Sequence, residues 1–214
     1  MKLSIDRKTD ILIALFVAAL VAANLLGTKI VTLLGISFSV GIFAYPLTFL
    51  VTDVIAEVHG KQKAKNLVYA GFTAILVILI LTLISLALPP ADRYAANEAY
   101  LTVFGTTWRI ILASLIAFMI SQMHDVWAFE FWKTKTNGRF LWLRNNASTV
   151  ISQLLDTTIF MFIAFYGVTP KFDVAFIISL IIPYWLLKIA VALFDTPIVY
   201  IGVRWLKGEQ KKAS

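Results

Sequence analysis

The sequence predicts an all-α membrane protein, a single-domain bundle of six transmembrane helices with both termini on the cytoplasmic side. Three observations predict it. Of the 214 residues, 60% are hydrophobic and 14% charged, with a mean hydropathy of +0.84, more apolar surface than one soluble core of this length can hide. The apolar residues fall in long runs rather than short alternating ones. That selects helices over a closed barrel, since lipid obliges the backbone to satisfy its own hydrogen bonds. Third, the basic residues alternate from loop to loop, as orientation in a membrane requires.

The first span, about residues 10–32, follows a polar N-terminal stretch and lacks the small-residue cleavage site of a signal peptide. Asn24 and Thr28 share a face near its outer end, and Lys29 can snorkel to the headgroups. The second span, about 36–58, is interrupted by Pro46, Thr48, Thr52, Asp53 and Glu57. Without it Lys61, Lys63 and Lys65 would fall on the wrong side, so the charges require it. The third runs over about 64–88 and the fourth over about 106–128, the latter with Arg109 at its outer end and Gln122 and Asp125 in its inner half. The fifth spans about 147–168. The sixth, about 174–204, carries Lys188 and Asp195 between Pro183 and Pro197, which free carbonyls and bend a membrane helix. The 89–105 loop shows no domain-like pattern.

Charge placement tests this topology. The cytoplasmic segments carry Lys2, Arg7, Lys8, Lys61, Lys63, Lys65, Lys133, Lys135, Arg139, Arg144, Arg204, Lys207, Lys211 and Lys212, fourteen basic residues, against Lys29, Arg93 and Lys171 on the other side. The net charge of +7 therefore follows from orientation and from attraction to anionic lipid, and calls for no nucleic acid. Trp108, Trp127, Trp132, Trp142 and Trp205 fall near span ends, where indole prefers to sit, whereas Trp185 lies inside the sixth span.

Enzyme chemistry finds no support. There is no cysteine, and His59 and His124 are the two histidines, neither in a zinc-binding spacing. No nucleophile elbow or phosphate-binding glycine loop is present. No catalytic residue, metal or cofactor is expected.

Function is sought where polar groups are costly. An ionisable side chain at bilayer depth costs at least about 2.5–3.5 kcal/mol, so it faces a partner or a wet cavity. Asn145, Thr149, Ser152, Gln153 and Asp156 wind one stripe along the fifth span, with Asp156 near its middle and Val150, Ile151, Leu154 and Leu155 opposite. Thr149 or Ser152 alone would read as glue between helices; a central carboxylate with amides beside it reads as a site. Lys188 and Asp195, seven apart, share a face of the sixth span, and Lys188 either neutralises a carboxylate or meets a ligand. Asp53 and Glu57 share a face of the second, with Lys61 or Lys65 as neutralising partners or else a gate. His124 lies about 100° round the helix from Asp125 and forms no catalytic pair with it. Polar groups spread over several spans and depths describe a pathway or cavity for a polar solute. Carboxylates, amides, a lysine and aromatics suit a flat, neutral, hydrogen-bonding ligand. The alternative of a different class is a membrane structural or assembly protein whose polar residues only join helices.

The stretches YPLTFLVTDVIAEVHGKQKAK (from Tyr45), LWLRNNASTVISQLLDTTIFMFIAFYG (from Leu141) and KIAVALFDTPIVY (from Lys188) resemble those of the queuosine precursor transporters, within the vitamin uptake transporter grouping. The resemblance covers nearly the whole chain, with His59 a minor departure. It implies an inner-membrane importer of 7-cyano-7-deazaguanine or its 7-aminomethyl relative, salvaged for queuosine in tRNA. It also implies a fold related to the six-helix substrate-binding components of energy-coupling-factor vitamin transporters. For such a ligand, Asp156 or Asp195 would accept from the donor edge, and Lys188, Gln153 or Asn145 would serve the oxo group. Trp185, Phe43 or Tyr45 would stack. Asn24, Asp53, Glu57, Arg109, Gln122 and Asp125 are expected along the pathway or its gates. Another vitamin-like solute, its carboxylate held by Lys188 or Arg109, is the alternative within transport. Membrane lipid and the purine-like solute are the expected partners, and a homodimer is compatible with a carrier of this size.

Overall fold

The computed structural model of the chain describes residues 3–33, 36–105 and 107–208. Lys2, Lys211 and Lys212, counted above among the basic flanks, lie outside them, as does residue 106, where the fourth span was expected to begin. The described chain runs α1 (Ile5–Leu26), β1 (Ile30–Leu33), β2 (Ile36–Ser39), a 3-10 turn (Val40–Phe43), α2 (Tyr45–His59), α3 (Lys61–Ala87), α4 (Asn97–Phe104), α5 (Thr107–Lys135), α6 (Leu141–Phe165) and α7 (Val174–Lys207). Among the described residues, six segments are long and apolar enough to cross a membrane: Ile5–Leu26, Val40–His59, Lys61–Ala87, Asn97–Lys135, Leu141–Phe165 and Val174–Lys207. The protein is thus a multi-pass helical membrane protein. Six crossings return the chain to its starting side, and Lys8 Nζ donates to the carbonyl of Trp205 at 3.0 Å, joining the two terminal helices at that end.

The ends of the spans differ from the expected ones for local reasons. α1 starts five residues early because the Ser4 hydroxyl caps it, accepting from the Arg7 N–H at 3.3 Å. It stops at Leu26 rather than near 32, because the chain then forms a hairpin pairing Ile30 with Ser39 and Val31 with Phe38. Ser39 secures the hairpin, donating to the Gly27 carbonyl at 2.6 Å and accepting from the Gly41 N–H at 3.1 Å. The second span accordingly begins near residue 40, with Pro46 in the first turn of α2, where its missing N–H costs nothing. α2 passes into α3 through Gly60 alone, at φ 82° and ψ 174°, a conformation open to glycine. α5 continues to Lys135 and α6 begins at Leu141, extending both beyond the expected limits. α4 lies within the 89–105 loop and buries none of its residues.

The main core joins α1, α2, α3 and α5 around Phe16, Leu20, Val54, Ile75, Phe118 and Phe129. Gly71 lets α3 approach closely: a β-carbon there would stand 2.6 Å from Leu20 Cδ1 and 2.7 Å from Phe16 Cε1. The most extensive helix contact is between α5 and α6, with α6 and α2 then meeting α7. α7 is the least buried of the six spans and continues through both prolines.

Candidate functional site

A cleft opens where α2, α6 and α7 meet, with about 420 Å³ of empty space, open solvent included. α2 contributes Tyr45, Phe49 and Asp53; α6 contributes Asn145, Thr149 and Gln153; α7 contributes Lys188 and Asp195. The helical period produces this arrangement. Asn145, Thr149, Ser152, Gln153 and Asp156 are all buried on one side of α6, while Ile151 and Leu154 face outward.

At one end of the cleft, Asp156 is fully engaged. Its Oδ1 accepts from the Tyr45 hydroxyl and from Ser121 Oγ at 3.2 Å, and its Oδ2 pairs with Lys188 Nζ at 2.9 Å. The same ammonium lies 4.5 Å from the centre of the Tyr45 ring and 5.4 Å from that of Tyr184, an aromatic enclosure for a buried cation. Of the two partners open to Lys188 in the sequence, the structure selects Asp156, leaving Asp195 half-buried on the cleft wall without an ion-pair partner among the described residues.

The cleft wall itself is rich in unused acceptors. Asn145 Oδ1, Thr149 Oγ1, Gln153 Oε1 and Asp53 Oδ1 are buried and have no hydrogen-bond partner among the described residues. A buried polar atom without a partner costs about 1–3 kcal/mol, and four residues lining one cleft each carry such an atom.

The second group lies towards the end that carries the termini. Glu57 takes Arg144 Nη1 at 2.8 Å and Lys133 Nζ at 3.5 Å on one oxygen, and Lys207 Nζ at 3.3 Å on the other. α2, α5, α6 and α7 are thereby tied at one carboxylate. Lys61 and Lys65, the partners expected for Glu57, are replaced by these three, because the neighbouring helices bring cations closer than the next turn does. Arg144, expected at the cytoplasmic surface, is instead 1% exposed, its guanidinium also donating to the Gly138 carbonyl at 3.2 Å and lying 5.3 Å from the Phe129 ring centre. Its spacing of eight from Ser152 on the polar stripe, about two helical turns, was the signal for that burial.

Other expected site residues lie elsewhere. Phe43 is 68% exposed and packs edge-on against Phe38 outside the cleft. Trp185 donates its indole N–H to the Val150 carbonyl at 2.9 Å, fastening α7 to α6. Of the three stacking candidates, Tyr45 lines the cleft. Arg109 donates to the carbonyls of Ile163 and Tyr166, both at 2.9 Å, closing the C-terminal end of α6. Gln122 accepts from Thr52 at 3.2 Å and donates to Thr48 at 3.4 Å, joining α5 to α2. Asn24 donates to the Leu20 carbonyl at 2.9 Å within its own helix. Asp53 and Asp125 face each other across α2 and α5. Ser121 and Arg144 are residues that the sequence reading did not select for the site; Ser121 adjoins Gln122 and stands four before Asp125, and that helical spacing was its signal.

Comparison with known proteins places this architecture. Residues 39–202 match the family described as "Putative vitamin uptake transporter". The chain is 35% identical over 196 residues to a Bacillus subtilis (strain 168) protein named "Probable queuosine precursor transporter", covering 91% of this chain and 84% of that one. It is 30% identical over 146 residues to the Escherichia coli (strain K12) "Queuosine precursor transporter", covering 68% of this chain and 63% of that one. A Haemophilus influenzae protein named "Probable queuosine precursor transporter" is 26% identical over 133 residues. No solved structure matches the chain.

Proposed function

Since the chain belongs to the vitamin uptake transporter family, we propose that it imports a queuosine precursor, 7-cyano-7-deazaguanine or its 7-aminomethyl relative, across the cytoplasmic membrane. In this reading both termini face the cytoplasm, as the loop charges direct, and the bundle is built like the substrate-binding components of energy-coupling-factor transporters. Lipid surrounds it, and a second copy is compatible with its size.

The observation that carries the reading is the row of undonated acceptors. A 7-deazaguanine presents donors at N1, at the 2-amino group and at the pyrrole nitrogen, with acceptors at the oxo oxygen and N3. Asn145, Thr149 and Gln153 accept from the donors, with Asp195 as the charged acceptor, Lys188 serves the oxo group, and the Tyr45 ring covers the face. Asp156 acts one step back. It holds Lys188 and Tyr45 in place rather than meeting the base itself. An acidic vitamin is a poorer match, because Lys188 is already neutralised by Asp156 and Arg109 is spent on two carbonyls.

Uptake of the radiolabelled precursor into cells lacking their own route tests it. Asp156→Asn and Lys188→Ala, confirmed as inserted in the membrane, are expected to abolish uptake, and excess guanine to compete where biotin does not. Normal uptake in both variants overturns the site.

A further inference from the structure

We propose that Asp53 and Asp125 hold one exchangeable proton between them, and that this proton travels with the substrate. The proposal rests on the transport reading for its cargo, but not for the pair itself.

The two carboxyl groups stand within hydrogen-bonding reach of each other across α2 and α5. Asp53 is 2% exposed and Asp125 0%, and neither forms an ion pair among the described residues, where Lys188 is taken by Asp156 and Arg144, Lys133 and Lys207 by Glu57. Two carboxylates in contact inside a membrane cannot both be charged at tolerable cost, and one proton shared between them removes the repulsion.

The neighbours of Asp125 point the same way. Ser148 and Ser152 on α6 stand beside it, yet neither of its oxygens receives a hydrogen bond among the described residues. The reason is that Ser148 donates to the Asn145 carbonyl at 3.1 Å and Ser152 to the Ser148 carbonyl at 2.8 Å. A carboxylate left without a donor gains one from a proton shared with its neighbour Asp53. The other ionisable groups around the pair are His124 on α5, whose Nδ1 lies 2.9 Å from Ser152 Oγ, and Arg144 on α6, with Glu57 one turn along α2 from Asp53. α7 offers Lys188 and Asp195 across the cleft.

An independent observation connects the pair to the ligand. Asp53 lines the cleft, beside the undonated acceptors of Asn145, Thr149 and Gln153. The pair thus has one member on the substrate and one buried behind it. A proton taken from the outer medium through the cleft rests on the pair, the base enters over it, and both leave on the other side. Asp156, Asp195 and Glu57 are poorer carriers of that proton: the first and last are ion-paired, and no second carboxyl acts on Asp195 among the described residues.

Two measurements test this on the purified full chain. In the infrared spectrum at neutral pH, the carbonyl band of a protonated carboxylic acid is expected, absent from both Asp53→Asn and Asp125→Asn. In proteoliposomes with the membrane potential clamped to zero, accumulation of 7-cyano-7-deazaguanine is expected to rise about tenfold per unit of imposed pH gradient, the limit for one proton per neutral base. In Asp125→Asn the accumulation ratio becomes independent of that gradient, whatever rate remains. A missing infrared band, accumulation indifferent to pH, or accumulation that follows a sodium gradient overturns the proposal. If the base is not taken up at all, the infrared result still decides the proton pair, and the failure falls on the substrate reading.

Discussion

Lys188 Nζ sits 2.9 Å from Asp156 Oδ2 and 4.5 Å from the centre of the Tyr45 ring, while the Tyr45 hydroxyl bonds the other oxygen of the same carboxylate. α2, α6 and α7 meet in this triangle, and its strength depends on all three members being present. A buried ion pair deprived of one partner typically costs about 3–5 kcal/mol, because a charge is left unpaired, whereas apolar replacement of both is far milder. Lys188→Met and Asp156→Leu are each expected to lower the unfolding temperature in detergent strongly, and the double variant to recover much of the loss. Additive losses would contradict a mutually neutralising pair.

The Glu57 cluster divides its three cations unequally. Arg144 is buried and planar, held also by Gly138 and Phe129, whereas the Lys207 side chain is 44% exposed. Lys207→Ala is expected to change stability by less than about 1 kcal/mol, as exposed pairs do. Arg144→Lys is expected to be severely destabilised despite its retained charge, since an ammonium cannot reproduce the forked contacts or the ring stacking. Thermal unfolding in detergent compares the two directly.

Close packing at Gly71 gives a third expectation. A β-carbon there would enter the space of Leu20, Phe16 and Phe118 at 2.6, 2.7 and 3.0 Å. Gly71→Val is expected to cost about 1–3 kcal/mol through overpacking, and Phe16→Leu in the same chain to relieve part of it. A neutral Gly71→Val would show that α3 sits further from α1 than described.

The aromatic residues can be separated by uptake. Trp185→Phe removes one hydrogen bond to Val150, worth about 1 kcal/mol, and Phe43→Ala changes a side chain outside the cleft. Both are expected to retain precursor uptake, and Tyr45→Phe to lose it, because Asp156 then lacks its hydroxyl donor. Loss of uptake in Phe43→Ala would move the stacking role back to that residue.

The six spans were legible because apolar length is a local property of sequence, and the polar side of α6 because residues 145, 149, 152, 153 and 156 obey the helical period. The hairpin at 30–39 was not. Its strands continue the apolar run of α1, and over so few residues periodicity does not separate strand from helix. α4 escaped because it buries nothing and so leaves no periodic mark. Within the site, the residue types were legible and their partners were not. Tyr45 meets Asp156 from 111 positions away, a relationship set by how α2, α6 and α7 pack. Glu57 shows the same limit: its cations come from α5, α6 and α7, while the lysines adjacent in sequence lie on α3.

α7 shows most of its surface to lipid, yet it is pinned to the rest of the bundle by a few polar ties: Lys188 to Asp156, Trp185 to Val150, Thr196 to Asn146 at 3.0 Å, and Lys207 to Glu57. In hydrocarbon, one apolar neighbour is as good as another, so moving an oily helix from protein to lipid meets little resistance. Discrete polar pins therefore behave like the teeth of a zip, released in sequence from either end while the rest still hold. Such a helix swings without melting, and a carrier needs a wall that can be undone and remade at every turnover.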